Sequence, residues 1–356
     1  MTEILSKFVQ KVGLGLAGAA ACAGVAFAGD NDGRRDFDRV FVIMMENHGF
    51  DQVVGQLVPT ANAELPNQPL LTPFITNLAL NNGLATFYFG VTHPSLPNYL
   101  ATIAGDFFGV QDDNDSCFAN PPPTVLPCHN FTAPTIVDQL DAKNISWEVL
   151  METAPTVGFL GRRFPVTGQT LYAQKHNPFV YFNNIATNPS RLAKIKPFDL
   201  AAFKTELNNA KQMARFVYIA PNQCNDQHGT SGIIPPGSAD CSTDALTMAA
   251  GDKFVKDTVT AITTSPSFTR RSAIFIVWDE NDFSAQLSCC KPSPTGVGGG
   301  HATGIVVTKN GKPIRSAVAM DHYSLLATIE DGFDLPRLAN AKTANTMWSL
   351  FPDSDD

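Results

Sequence analysis

The chain has 356 residues, with 25 Lys and Arg against 33 Asp and Glu, a formal net charge of −8. No basic block runs along it, which excludes a partner held through a nucleic-acid backbone. The length suits one large α/β unit, and no repeat, heptad pattern or long low-complexity linker divides it.

Residues 1–28 read as a secretion signal. Lys7 and Lys11 supply positive charge, 12–25 is apolar or small and uncharged, and Ala26-Phe27-Ala28 is a small-x-small cleavage site. That stretch is short for a bilayer span, and no later one is long enough. The expectation is a secreted or periplasmic protein with no stable membrane insertion and no obligate protein partner. Cleavage removes Cys22, and Ala19-Ala20-Ala21 before it lacks the branched or Leu residue usual for lipidation. Cys117, Cys128, Cys224, Cys241, Cys289 and Cys290 remain, and an even count in an exported chain reads as disulfides. Proximity favours Cys117–Cys128 and Cys224–Cys241. Adjacent Cys289 and Cys290 then form a vicinal bond or join other partners. No pair has the spacing of a zinc–thiolate site.

In chain order, the first predicted strand is the apolar run Val40-Phe41-Val42-Ile43-Met44. It leads into Met45-Glu46-Asn47-His48-Gly49, which puts a carboxylate, an amide and an imidazole where ligands bind in open α/β sheets. Helical periodicity follows over 71–80. Then comes Thr92-His93-Pro94-Ser95-Leu96-Pro97-Asn98-Tyr99. Two prolines bracket Ser95 and hold its backbone extended or in a tight turn. Asn98 is an uncharged donor, and a helix over 99–104 offers free N–H groups at its start. Near a carboxylate-bound metal, a serine so placed can be deprotonated and attack phosphorus. Taken alone, the segment reads as a Pro-rich turn in which Ser95 caps.

Further helices are predicted over 134–142, 200–209 and 245–263, and further apolar strands over 216–220, 273–278 and 304–308. The polar stretches 106–132, 221–244 and 284–302 read as excursions from the sheet edge. The second strand runs into Pro221-Asn222-Gln223-Cys224-Asn225-Asp226-Gln227-His228, and the third into Asp279-Glu280-Asn281-Asp282. Gly298-Gly299-Gly300-His301 precedes the fourth. Acids and imidazoles therefore gather where strands stop. This oxygen-rich set without thiolate suits Mg, Ca, Mn, Fe or Zn. An amphipathic helix over 322–330 opens at His322, which caps or packs there. Buried strands alternating with helices predict an α/β fold with a mostly parallel central sheet covered by helices on both faces. The expected domain spans 36–345, followed by a polar tail, 346–356.

Six segments resemble the secreted phosphoesterase family of bacterial and fungal acid phosphatases and phospholipases C, within the alkaline-phosphatase-like superfamily. They are Met45-Glu46-Asn47-His48-Gly49-Phe50-Asp51, His93-Pro94-Ser95-Leu96-Pro97-Asn98-Tyr99, Lys175-His176-Asn177-Pro178-Phe179, residues 222–228, Trp278-Asp279-Glu280 and Asp321-His322-Tyr323-Ser324-Leu325-Leu326. Together they cover about residues 39–335 in the family's order. The resemblance implies that Glu46, Asn47, Asp279 and Glu280 hold one divalent ion. It implies Ser95 as nucleophile, Asn98 on a nonbridging phosphate oxygen, and Lys175 and His176 facing the phosphate. Asn222, Asp226, His228 and His301 are the matches for a second metal or phosphate site. Glu280 stands where the two-zinc enzymes use His, and Asn222 where an acid is expected, so a single harder ion is the implied cofactor.

The leading expectation is a metal-dependent phosphomonoester hydrolase that works through a phosphoserine and releases inorganic phosphate. His228 or His301 would protonate the leaving group or activate water. Cleavage of phosphodiesters in the phospholipase C manner, or of a phosphoinositide, is a second reading. An extracytoplasmic phosphate-ester-binding protein without turnover is a third.

Overall fold

A computed structural model of the chain describes residues 36–54, 70–234, 239–283 and 298–352. All of them belong to one compact unit, Arg34–Asp356. The signal segment, Cys289 and Cys290 lie outside the described residues.

The strands are β1 (Arg39–Met45), β2 (Gly83–Phe89), β3 (Trp147–Glu152), β4 (Arg163–Phe164), β5 (Tyr172–Ala173), β6 (Ile195–Phe198), β7 (Phe216–Ala220), β8 (Ser272–Trp278), β9 (His301–Thr308), β10 (Ile314–Ser316) and β11 (Met320–Asp321). The helices are α1 (Phe50–Val54), α2 (Pro73–Asn81), α3 (Ser95–Ala104), α4 (Ile136–Ala142), α5 (Asn183–Ala186), α6 (Pro189–Leu192), α7 (Leu200–Leu207), α8 (Asp244–Thr263) and α9 (His322–Gly332). The main sheet has the order β10-β2-β9-β8-β1-β7-β3-β6, with β11 beside β2. β1 is central and parallel to both neighbours, with Val40 opposite Phe216 on one side and Ala273 on the other. All seven of its residues are buried, as a strand covered on both faces requires. The helices pack in two groups: α1 and α7 with α2 and α8, and α4 with α3 and α9. The α/β architecture read from the sequence is therefore the one observed.

One strand direction departs from expectation. The run 304–308 lies in β9, which is antiparallel to both β8 and β2. A continuous apolar run fits a buried strand of either direction. The reversal puts the start of β9 beside the end of β2, where His301 pairs with Phe89. The ends of β1, β7 and β8 and the start of β9 thus share one rim.

Two further readings are corrected. Helix α9 is not amphipathic, because every residue from His322 to Glu330 is buried. Its cap is Asp321, whose Oδ1 accepts from Tyr323 N at 2.9 Å and Ser324 N at 3.1 Å. The expected polar tail is structured as far as it is described. Met347 and Leu350 are buried in a 3-10 turn. Phe37 meets Trp348 at 5.2 Å and Phe351 at 5.9 Å between ring centroids. Asp353, Asp355 and Asp356 dominate the local composition and mask this aromatic anchor in the sequence. Replacing Phe351 with Ala should cost about 3–5 kcal/mol, read from urea unfolding. An unchanged midpoint would show the segment to be dispensable.

Candidate active site

Helix α3 begins at Ser95, four residues earlier than the sequence suggests. Pro97 falls inside its first turn, where a missing N–H breaks no helical bond. Ser95 is buried, and its Oγ lies 2.9 Å from Glu46 Oε2 and 3.4 Å from Glu280 Oε1. Lys175 Nζ donates to the same Oγ at 3.3 Å. Asn98 lies one turn along and is fully engaged. Its Oδ1 accepts from Val91 N at 2.8 Å and Thr92 N at 3.2 Å. Its Nδ2 donates to Thr92 O at 2.6 Å, Pro94 O at 3.2 Å and Glu280 Oε2 at 3.2 Å. In this arrangement its amide pins the 91–94 loop and contacts Glu280.

The acids emerge side by side because Met45 of β1 pairs with Trp278 of β8. Asp279 Oδ1 accepts from Asn47 N at 2.9 Å and Glu280 N at 2.7 Å. Asn47 has φ 57°, a left-handed conformation that Asn tolerates. Its contact to the acidic pair is through the main chain. His48 turns back on its own strand end, with Nδ1 3.4 Å from Glu46 O. Burial, then the Glu46 carboxylate, raises the pKa of Asp279 and of Glu280 well above the usual carboxyl range.

Two histidines that carried no role in the sequence support this pair. His93 Nδ1 lies 2.7 Å from Glu280 Oε2, and its ring stacks on Phe283 at 3.8 Å. His322 bridges Tyr88 Oη at 2.9 Å and Asp279 O at 2.6 Å. Burial pushes both imidazoles down to about 4. A neutral His322 with its proton on Nε2 donates to Asp279 O and accepts from Tyr88. Both histidines sat in family-like segments, so the segments, without partners, were the only signal.

Lys175 and His176 close a 3-10 turn. Lys175 Nζ meets Asp113 Oδ2 at 3.0 Å and His228 Nε2 at 3.2 Å. Burial disfavours the ammonium, but Glu46, Asp113 and Asp279 outweigh that effect and raise its pKa. The His176 ring stacks on Tyr99 at 5.2 Å. Its Nε2 lies 3.2 Å from Glu46 Oε1 and its Nδ1 3.1 Å from Asp226 Oδ2. Burial, then Lys175 and His228, pushes the His176 pKa well down. Burial and Glu46 raise that of Asp226. His228 Nδ1 lies 2.7 Å from Gly229 O. A proton donated there leaves the Nε2 lone pair free to accept from Lys175.

The loop after β7 is stapled at several points. Asp226 O accepts from Glu46 N at 2.8 Å. Gln227 has φ 81°, and its Oε1 accepts from Trp278 Nε1 at 2.8 Å. The expected disulfides Cys117–Cys128 and Cys224–Cys241 are both present, and the second closes the loop carrying Asp226 and His228. Two expected members of a second site fall elsewhere. Asn222 Oδ1 caps the turn, accepting from Cys224 N at 3.0 Å and Asn225 N at 3.1 Å. His301 stacks between Phe50 at 4.6 Å and Phe89 at 5.2 Å, with Nε2 3.2 Å from Thr86 O. Both positions are occupied by packing and turn geometry that local sequence does not reveal.

Among the described residues one metal-capable group forms: Glu46, His176 and His228 each bring a ligand atom within 4.8 Å of the others. Asp279 Oδ2 is buried without a partner, while Glu46 Oε1 and Asp226 Oδ2 face only the His176 ring, at 3.2 Å and 3.1 Å, and make no well-aligned hydrogen bond. Orphaned buried groups of this kind are uncommon, and the nitrogen and oxygen donors suit a divalent cation. The residues therefore fit one ion.

The profile of the phosphoesterase family matches residues 67–336. It begins beyond Glu46, which sheet register ties to the site independently. A probable acid phosphatase of Kluyveromyces lactis is 31% identical over 304 residues, which are 85% of this chain and 59% of that protein. The chain thus spans about three-fifths of that relative's length. A phosphatidylinositol-3-phosphatase of Mycobacterium tuberculosis is 26% identical over 317 residues, 89% of this chain and 84% of that protein. Among solved structures, an alkaline phosphatase superfamily protein of Vibrio parahaemolyticus superposes with TM-score 0.52 at 12% identity, over 88% of this chain and 72% of that one. That likeness establishes a shared fold.

If Cys224–Cys241 clamps the site loop, the paired Cys224→Ser and Cys241→Ser variant should lose about 2–4 kcal/mol of stability. Its retained divalent metal should drop to less than about half of wild type, because ligand placement and metal binding are coupled. Elemental analysis after gel filtration reads this directly. Wild-type metal content would show that the clamp is not needed.

Proposed function

This chain belongs to the phosphoesterase family, and from that premise we propose that it hydrolyses phosphate monoesters with Ser95 as nucleophile. The observation that carries the reading is the surroundings of Ser95 Oγ. Two carboxylates and an ammonium lie within 3.4 Å of this buried hydroxyl at a helix start. A purely structural serine does not call for such neighbours.

Ser95 Oγ attacks phosphorus as the bond to the leaving oxygen breaks. Its proton passes to Glu46 Oε2, 2.9 Å away. The Lys175 ammonium, 3.3 Å from Oγ, balances charge on the transferring phosphoryl group. Water then protonates the departing alkoxide, and the hydroxide so formed attacks the phosphoseryl group. The bond from phosphorus to Ser95 Oγ breaks, Oγ recovers the proton held at Glu46, and phosphate leaves. Glu46, His176 and His228 would hold one divalent ion, which supplies Lewis acidity and positive charge at the phosphate oxygens. His301, packed between aromatic rings, takes no part. Asp279 and Glu280 order the Glu46 rim through Asn47 and Ser95.

The export signal over 1–28 and two disulfides support a secreted or periplasmic location. Residues 36–352 would then act as the catalytic unit. Among the described residues no helix is long and apolar enough to cross a membrane. A second reading, a lipid-linked monoester as substrate, rests on the mycobacterial relative, which matches over most of its own length.

Ser95→Ala should lower kcat on an aryl phosphate by roughly 10³-fold or more. Acid quenching of the wild type during turnover should trap phosphate on Ser95, seen by peptide mass spectrometry. Full turnover by Ser95→Ala would remove the nucleophile from this account. Faster release from a phosphoinositide than from the aryl ester would select the second reading.

A further inference from the structure

Asp113 sits in the 106–132 excursion, in a stretch to which neither the fold nor the proposed chemistry assigns a role. Its carboxylate makes two contacts that converge on the reacting hydroxyl. Oδ1 accepts from Leu96 N, the residue after Ser95, at 3.0 Å. Oδ2 accepts from Lys175 Nζ at 3.0 Å. The α3 N-cap residue, Pro94, makes no side-chain cap bond, so Asp113 caps this helix from a distant loop.

We propose that Asp113 is a positioning residue for the reaction: it fixes the Lys175 ammonium beside Ser95 Oγ and ties it to the start of the nucleophile helix. This rests on Ser95 being the nucleophile. Lysine has a long flexible stem and a strongly hydrated head, so a defined place for its charge needs a partner held in turn by something rigid. The excursion supplies that rigidity. Cys117 is bonded to Cys128. Asn114 Nδ2 donates to Pro127 O at 3.0 Å, and His129 Nε2 lies 2.6 Å from Asp112 Oδ1. The same loop grips the residue before Lys175, since Ser116 N donates to Gln174 Oε1 at 2.9 Å. Loop and lysine turn are therefore joined through a backbone group and a charge pair on adjacent residues. The first disulfide acts on catalysis through this strap, in contrast to Cys224–Cys241, which closes the loop of Asp226 and His228.

Asp113→Asn tests the assignment. The amide oxygen can still cap Leu96 N, while the charge that holds Lys175 is gone; Asp113→Ala removes both. Asp113→Asn should lower kcat on an aryl phosphate roughly 10- to 100-fold with KM within about twofold, as expected for a misplaced charge-balancing group. Metal content and unfolding midpoint should match wild type. Lys175 should also react faster in reductive methylation, followed by mass spectrometry of its peptide in the full chain. Cys117→Ser with Cys128→Ser should move both readouts in the same direction. Wild-type kcat in Asp113→Asn overturns the proposal. So does a lower KM with undiminished kcat, which would mark Asp113 as a tethered competitor of substrate phosphate. Unchanged Lys175 labelling overturns it whatever the kinetics. A wild-type protein that turns over no phosphate ester defeats the functional reading instead, and the labelling result still decides the placement of Lys175.

Discussion

Four carboxyl groups, those of Glu46, Asp226, Asp279 and Glu280, are buried beyond the ends of three adjacent strands. A charge taken out of water without a partner costs several kcal/mol. Close carboxylates aggravate that cost, and burial together with Glu46 raises the pKa of the other three. Lys175 offers one positive charge in direct contact with Ser95, the neighbour of Glu46 and Glu280. Protonation of these acids or further positive charge offsets that cost. A divalent cation at Glu46, His176 and His228 would supply such charge, and the carboxylate oxygens and imidazole nitrogen there are groups such an ion would satisfy.

Backbone geometry keeps the acids at this place. Asp279 N donates to Met45 O at 3.0 Å, and Glu46 N to Asp226 O at 2.8 Å, so the three strand ends are bonded to one another just where the chain leaves the sheet. Close approach around them leaves no space for a side chain at Gly90, where a Cβ would lie 2.5 Å from Asp279 O. His322 grips that same carbonyl from α9. The reactive side chains are thus fixed by main-chain contacts between elements far apart in sequence, which is how a loop-borne site reaches the precision that phosphoryl transfer requires.

The central strands were legible because β1, β7 and β8 are covered on both faces and read as unbroken apolar runs. β3 and β6 were not. In β3, Glu148 and Glu152 interrupt the pattern, and their partners, Lys196 at 2.7 Å and Asn222 N at 2.9 Å, come from other segments. β6 carries a lysine and a proline in four residues. Spacing alone read both described disulfides correctly. At the site, residue type was a good guide to which segments converge and a poor guide to what each side chain does there. Asn222 and His301 have the chemistry of site residues and work in the structure as a turn cap and an aromatic filler. Asp113, His93 and His322 matter through contacts with partners distant in sequence. Nothing in the neighbouring sequence records such contacts.

The claim on which the rest depends is that a cation completes the acidic rim at Glu46. Anomalous diffraction from crystals of active protein, collected on both sides of the absorption edge of each metal found by elemental analysis, locates any ion without assumption. The account predicts one site ligated by Glu46 with His176 and His228. An ion that does not touch Glu46, or no ion in crystals of protein with full activity, would contradict it.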